Sequence, residues 1–275
     1  MSKHETALTR RYWEEETDGL LIEEFPAIRR RKGCSPRFLD GLVISGRTKK
    51  IADTKIDLNT NDKAEDLVRD RDVIIIQTKA NPLSMPLLGQ ALISIHLIEF
   101  HFKPRSIRSV AVCTGGDPEL QKIAESLGVE VVIYPKEGIR ESIPAKSFHH
   151  LFWEKELGGT MIEGSAAISK VTDSGSRVVI PGGPSQILDP LKADITGKDI
   201  VIIQGNSKEI VGMYLLGQAI FSKKLLEPYN PKSIRSIALC KKSDTCMERA
   251  AKLYGIEIIP YKNVFADKVE GQVRE

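Results

Sequence analysis

Three residues in the first half of the chain have the types and spacing needed for the hydrolysis of phosphate esters. Asp40 lies inside the apolar segment FLDGLVI, where an unpaired carboxylate is costly to bury. Gln77 and Lys79 stand two positions apart at the end of the apolar run DVIIIQTK. Because side chains at positions i and i+2 of a strand share a face, we expect Gln77 and Lys79 to project together.

An acid, an amide oxygen and an ammonium group at one strand end suit a hard cation and an anionic substrate. Asp40 and Gln77 would supply the oxygen ligands that Mg²⁺ or Mn²⁺ prefers. A bound cation would hold a water for attack, and Lys79 would orient that water or stabilise charge developing on a phosphate. The sequence therefore indicates a catalytic site at Asp40, Gln77 and Lys79.

Gln77 brings no charge, so a further acid is expected to complete the site. Glu23 and Glu24 lie in LLIEEF, on a predicted strand next to that of Asp40. Because adjacent strand residues face opposite ways, only one of the two can point at the site. Both stay open as metal ligands, and so does the alternative that they are two exposed acids on an edge strand.

The period of the apolar residues predicts the elements that position these side chains. The predicted order is α-β-β-β-α-β-α-β, and the helical crossovers imply a partly parallel sheet. Trp13 is expected on the packed face of the first helix, and Asp117 is expected to cap a later helix that begins at Pro118. The predicted helices cover residues 4–16, 86–101 and 118–127, and the predicted strands cover 20–28, 36–45, 72–78, 107–113 and 129–135.

This order, together with Asp40 and QTK, resembles the PD-(D/E)xK nuclease superfamily, whose restriction-endonuclease-like core is αβββαβ. The resemblance covers essentially all of residues 1–135, and Gln77 stands where the superfamily has an acid. It implies a metal-dependent nuclease that hydrolyses phosphodiester bonds of nucleic acid, DNA rather than RNA. It adds Glu5 of the first helix as a third candidate acid. It also makes Gln90 a possible accessory residue that touches substrate, although packing of LLGQA against the sheet explains Gln90 equally well.

The chain contains a long internal repeat. DVIIIQTKANPLSMPLLGQALIS, from Asp72, is answered by DIVIIQGNSKEIVGMYLLGQAIFS, from Asp199. YWEEETDGLLIEEF at Tyr12 is likewise answered by FWEKELGGTMIEGS at Phe152. A repeat of this length has the size of a domain. We therefore expect an α/β protein of two tandem copies, 1–140 and 141–275, each with a mixed central sheet, packed as an intramolecular pseudo-dimer.

The second copy keeps the residues that form the fold and loses those with chemistry. Gln204 matches Gln77, but Asn206 replaces Lys79. Ser176 or Ile180 falls at the position of Asp40, and Glu163 matches Glu23 without the rest of the set. We expect the first copy to be active and the second to be a degenerate partner or a surface that grips substrate.

Composition limits the remaining possibilities. The 275 residues are 28% charged with a net charge of +3, which is typical of a globular protein and too mild to prove a nucleic-acid partner. No signal peptide is predicted, no apolar run approaches membrane-spanning length, and Cys113 and Cys240 are expected as buried thiols. These features favour the cytoplasm and no membrane partner. Oligomerisation beyond the pseudo-dimer stays open.

Two other functions fit the same residues. The first is a catalytically inactive nucleic-acid-binding scaffold with a nuclease-like fold, in which Gln77 marks a lost site. The second is an α/β protein that binds a small anionic ligand at its strand ends. Incubation with DNA and Mg²⁺ or Mn²⁺ separates the enzyme from the scaffold, and competition between DNA and the small ligand identifies the third.

Overall fold

The chain divides into two compact units, Met1–Glu141 and Ser142–Glu275. The computed structural model describes residues 3–30, 32–52, 61–135, 160–161, 177–181, 195–205 and 210–260. Both units are α/β, and the sheet of the first is mixed.

The first unit is a six-stranded sheet in the order β3-β1-β2-β4-β5-β6. The β1–β2 and β2–β4 pairs are antiparallel, whereas β3–β1, β4–β5 and β5–β6 are parallel. Every helix and strand predicted for residues 4–135 is present, and the sequence reading missed only β3 and α2. The elements are α1 (Lys3–Glu16), β1 (Leu20–Ile28), β2 (Arg37–Ile44), β3 (Lys50–Ile51), α2 (Asn61–Val68), β4 (Asp72–Thr78), α3 (Met85–Phe102), β5 (Ser106–Cys113), α4 (Pro118–Ser126) and β6 (Val129–Ile133).

Helix α1 covers one face of this sheet. Trp13 is buried as predicted, and its indole Nε1 donates a hydrogen bond to the Gly19 carbonyl oxygen, 3.0 Å away. The strand residues packed with it alternate along each strand, as one face of a pleated sheet requires. The cluster consists of Tyr12, Trp13, Leu21, Val43, Ile74, Ile76, Val110, Val112 and Tyr134.

Helix α3 packs against the opposite face. Neighbouring strand residues face opposite sides of a sheet, so Ser109, which lies between the exposed Arg108 and the α1-facing Val110, points away from α1. Its hydroxyl donates to the Ala91 backbone carbonyl of α3 at 3.0 Å. By length and composition α3 could cross a membrane, so the expectation that no segment reaches that length is wrong for this helix. Of this stretch, 61% is buried inside the protein, because α3 is the central helix of the first unit's core.

The described part of the second unit is a five-stranded sheet in the order β11-β10-β9-β8-β7, and all of its pairs are parallel. We expected a mixed sheet in both halves. The strand pairs described for the second unit, in which β8 runs parallel to β9, differ from that expectation. The elements are β7 (Thr160–Met161), β8 (Arg177–Pro181), β9 (Asp199–Gly205), α5 (Met213–Leu226), a 3₁₀ turn (Glu227–Tyr229), β10 (Ser233–Cys240), α6 (Thr245–Leu253) and β11 (Ile256–Pro260).

Local signals read from the sequence are confirmed in both units. Asp117 caps α4 by accepting hydrogen bonds from the backbone N–H groups of Glu119 and Leu120, each 3.1 Å long. Asp244 caps α6 in the same way. Cys113 and Cys240 are free thiols buried at the ends of β5 and β10.

Candidate active site

The candidate site lies where the pairing of β2 with β4 stops. Gly41 opposite Ile76 is the last regular pair toward the end of β4. Beyond it, the Asp40 Oδ2 atom accepts a hydrogen bond from the Thr78 backbone N–H, 2.7 Å away. A side-chain carboxylate thus takes the place of a backbone carbonyl, and this contact holds Asp40 at the carboxyl end of β4.

Asp40 is an acid whose charge is disfavoured by its surroundings. Burial raises the pKa of its carboxyl, and the nearby Glu5 carboxylate raises it further. The Thr78 N–H bond and the Lys79 ammonium act in the opposite direction without cancelling the rise. A positive charge placed next to Asp40 and Glu5 would therefore relieve both burial and like-charge repulsion.

Lys79 follows directly after β4 and forms an ion pair with Glu5. The Lys79 Nζ atom lies 2.7 Å from Glu5 Oε1, and the two side chains are only 24% and 14% exposed. The Lys79 backbone N–H extends the ladder to β5 by bonding to the Val112 carbonyl at 2.9 Å. The ammonium group is therefore held at the sheet end by its backbone and by the first turn of α1.

Helix α1 is fixed over the site by a pair of buried threonines. The Thr9 hydroxyl donates to the Glu5 carbonyl at 3.0 Å, so the Thr78 hydroxyl must donate in the 2.9 Å contact between Thr9 and Thr78. Gly41 permits this approach, because a Cβ there would lie 2.9 Å from Thr9 Cγ2. The sequence analysis missed Thr9, Thr78 and Gly41, although a glycine beside Asp40 in a strand was a usable signal of close packing.

Gln77 is directed away from Lys79. Its amide Nε2 donates to the Ser94 hydroxyl of α3 at 3.0 Å, and Ser94 donates to the Gln90 carbonyl at 2.6 Å. The expectation that Gln77 and Lys79 project together is wrong, because Lys79 lies beyond β4 and its long side chain reaches Glu5 on α1. Gln77 is 1% exposed, so its side chain lies inside the interface between β4 and α3.

The two acids of β1 have different environments from that of Glu5. Glu23 binds the Arg10 guanidinium through both carboxylate oxygens, at 2.7 and 2.9 Å. Glu24 is exposed and has a left-handed backbone, with φ of 48°, between the Glu23–Gly41 and Phe25–Leu39 pairs. The two acids thus have separate surroundings, as expected, and the acid that the structure pairs with the Lys79 ammonium is Glu5.

The remaining predicted residues have these positions. Gln90 lies in the second turn of α3, and in the described part of the chain its Oε1 atom is buried without a hydrogen-bond partner. In the second unit, the Gln204 Nε2 atom donates to the Ser222 hydroxyl at 2.8 Å, as Gln77 does to Ser94. Ile180 lies in β8. Glu163, Ser176 and Asn206 lie outside the described residues.

Two basic residues, Lys49 and Arg11, make contacts that belong to the fold. The Lys49 ammonium donates to the carbonyl oxygens of Glu14 and Thr17, at 2.9 and 2.7 Å, and so closes the end of α1. The Arg11 guanidinium lies 4.2 Å from the centre of the Tyr134 ring. These two cations therefore have structural contacts of their own and are not simply a solvated surface.

No protein-family model matches the chain, and no curated protein and no solved structure is detectably similar to it.

Proposed function

We propose that the first unit is a metal-dependent nuclease that hydrolyses phosphodiester bonds in nucleic acid, DNA in the first instance. One observation carries the proposal: Asp40 lies within electrostatic range of the Glu5–Lys79 ion pair at the end of β4. Two acids and an ammonium group at one strand end provide both a cation site and a partner for phosphate. The resemblance of the element order and of Asp40 and QTK to the PD-(D/E)xK superfamily supports the same reading.

The residues fit a hard divalent cation such as Mg²⁺ or Mn²⁺. Asp40 and Glu5 offer carboxylate oxygens, which are the ligands that these ions prefer. Glu5 raises the pKa of Asp40, so a cation would stabilise two carboxylates that otherwise repel each other. Of the other predicted ligands, Gln77 could reach the cation only through its carbonyl oxygen, Glu23 only by leaving Arg10, and Glu24 is exposed, so water molecules would complete the ligand set.

Hydrolysis forms a bond from a water oxygen to phosphorus and breaks the bond from phosphorus to the leaving oxygen. A bound cation would supply an activated water at neutral pH. Lys79 would stabilise the charge that develops on the phosphate oxygens, because its ammonium is held in place before the substrate arrives. The Thr78 N–H keeps the Asp40 carboxylate in position through the reaction.

We further propose that the second unit is a degenerate copy from a tandem duplication, paired with the first as a pseudo-dimer. The sequence repeat and the matching Gln77–Ser94 and Gln204–Ser222 bonds support a common origin. Residues 1–140 expressed alone should then aggregate or self-associate, as analytical ultracentrifugation would detect. A monodisperse, fully active fragment would remove the pairing role from the second unit.

A specific observation favours a second candidate, a nucleic-acid-binding scaffold without catalysis. Gln77 makes the same buried contact as Gln204, so it behaves as a residue that holds α3 to the sheet. A site that relied on Gln77 for metal binding would then lack a ligand. The two candidates differ in one respect that can be measured, which is metal-dependent cleavage.

The test is cleavage of single-stranded DNA, double-stranded DNA and RNA by the full chain with Mg²⁺ or Mn²⁺, and with a chelator. We expect metal-dependent cleavage that Asp40→Ala and Lys79→Ala each reduce by about a hundredfold or more. Lys122→Ala is the matched control, since Lys122 is an exposed lysine on α4. Cleavage by Lys79→Ala at the rate of the unmodified protein would refute the assignment, and binding without cleavage would establish the scaffold.

A further inference from the structure

A cavity of about 250 Å³ opens in the first unit between the end of β1, helix α2 and the end of α3. Its floor is apolar and rigid: Ile28 is 3% exposed, and Phe102 packs edge-to-face against Phe25 with ring centroids 5.1 Å apart. The register of β1 with β2 shifts beside it, between Pro26 and Ile28. Such irregularities redirect side chains and are common next to functional sites.

The polar lining of the cavity is predominantly basic. Among the residues that the structure describes, Arg29, Arg30 and His101 line it together with one acid, Glu65. The carboxylate of Glu65 forms an ion pair with Arg69, which follows directly after α2, so its charge is already compensated. Two guanidinium groups and an imidazole over an apolar floor are suited to an anion with planar or tetrahedral oxygens, because arginine presents several donors in a fixed fork.

The strand register relates the cavity to the candidate active site. Ile28 pairs with Arg37 at the start of β2, and Asp40 follows three residues later on the same strand. At about 3.3 Å per strand residue, Asp40 lies roughly 10 Å from the cavity along β2.

We propose that this cavity binds a phosphate group, and that in a nucleic-acid substrate it holds a phosphate other than the one cleaved at Asp40. The second part rests on the proposed function. A flexible single strand or a strand end is the form of nucleic acid that can bend one phosphate into a concave site of this size. A free nucleotide has the same phosphate chemistry and is the other source that the experiment must separate.

The experiment measures binding of a fluorescein-labelled single-stranded DNA oligonucleotide to the full chain, at one fixed ionic strength and with a chelator present. Arg30→Gln and His101→Gln should each weaken the affinity by about tenfold, because each removes a donor to a charged group. Arg47→Gln is the matched control, since Arg47 is an exposed arginine at the opposite end of β2 from Asp40. Its affinity should stay within about twofold of the unmodified protein.

Competition with inorganic phosphate and with a nucleoside monophosphate identifies the source of the phosphate. We expect both to displace the oligonucleotide from the unmodified protein and to lose this effect in Arg30→Gln. Loss of phosphate binding with unchanged oligonucleotide affinity would overturn the nucleic-acid part and assign the cavity to a small phosphate ester. Equal weakening in Arg47→Gln, or none in Arg30→Gln and His101→Gln, would overturn the cavity as a phosphate site.

The binding assay is independent of catalysis. Asp40→Ala can abolish cleavage while the cavity keeps its affinity for phosphate, and an inactive scaffold can still bind through Arg30. Failure of the cavity therefore leaves the cleavage result standing, and failure of cleavage leaves the cavity to be judged by its own variants. Thermal unfolding of Arg30→Gln should match the unmodified protein, because the Arg30 side chain is exposed.

Discussion

A buried glutamine–serine hydrogen bond occurs in both units, although only the first unit has the acids and the lysine. Gln77 binds Ser94 at 3.0 Å, and Gln204 binds Ser222 at 2.8 Å. Other contacts recur with the same partners. They are Ser109 with the Ala91 carbonyl and Ser236 with the Ala219 carbonyl, and the ion pairs Arg108–Glu130 and Arg235–Glu257.

Contacts that are found in both units are those that stabilise the fold. They can be distinguished in this way from contacts that could serve the proposed reaction. A bond present in a unit without Lys79 cannot depend on the reaction, so Gln77 belongs first to the helix–sheet interface. The Glu5–Lys79 and Asp40–Thr78 contacts have a different status, because the sequence of the second unit has Asn206 at the lysine position. Among the proposed metal ligands, Glu5 is therefore better supported than Gln77.

The largest expected effect comes from exchanging the residue that differs most between the units. Lys79→Asn should reduce the proposed cleavage by about a hundredfold, since it removes the ammonium that we propose to stabilise the phosphate. Asn206→Lys in the second unit should produce no new activity, because a lysine alone supplies no carboxylate ligand for a metal cation. A cleavage assay on both variants tests this prediction. If Lys79→Asn cleaved as fast as the unmodified protein, the lysine would not account for a difference in activity between the units.

Gly41→Ala tests whether the site depends on the close approach of α1. The new Cβ would lie 2.9 Å from Thr9 Cγ2 and 3.1 Å from Leu21 Cδ1, so we expect a loss of about 2 kcal/mol in the free energy of unfolding. Cleavage should fall as well, since Glu5 moves with α1. Gly115→Ala is the control, because its nearest neighbour would be at an ordinary 3.4 Å. Urea denaturation showing equal stability for both variants would contradict the prediction.

Ser94→Ala and Ser222→Ala test the shared contact directly. Each leaves a buried glutamine N–H without its acceptor, so each should lower the free energy of unfolding by about 1.5 kcal/mol. The reference is Ser126→Ala, an exposed serine on α4 whose loss should cost less. If only Ser94→Ala destabilised the protein, Gln77 would have a role of its own, and its place in the metal ligand set would regain support.

The smallest effect concerns the pH dependence of Asp40. Its pKa is raised by burial above the ordinary value of 3.8, so the folded state binds its proton more tightly than the unfolded state. Burial of Asp40 therefore does not lower the free energy of unfolding below pH 3.8, where the carboxyl is protonated in both states. It lowers the free energy of unfolding increasingly as the pH rises toward the pKa of the folded state. Asp40→Asn should therefore be the more stable protein near neutral pH, with the difference disappearing in acid.

Thermal unfolding across this pH range, without divalent cations, checks the sign. Added Mg²⁺ should stabilise the unmodified protein by about 2.7 kcal/mol at a hundred times its dissociation constant, and should not stabilise Asp40→Asn to this extent. A variant that is less stable than the unmodified protein at neutral pH would mean that the Thr78 N–H bond outweighs the cost of burying Asp40.

The sequence by itself determined every element of the first unit except β3 and α2, together with the buried face at Trp13 and the cap at Asp117. These follow from local rules, since the apolar period, strand alternation and capping act over a few residues. It also singled out Asp40 and Lys79, because a charge in or next to an apolar strand is costly without a partner.

Only the tertiary structure decided which residues meet at the site. Alternation along β4 gives the face of Gln77 but not that its amide binds Ser94, because Ser94 belongs to a helix packed from elsewhere in the chain. The choice of Glu5 over Glu23 was open for the same reason: it depends on how α1 packs over β2 and β4, which Gly41 and Thr9 permit. Contacts between distant segments are set by packing, and packing is not encoded in the period of any one of them.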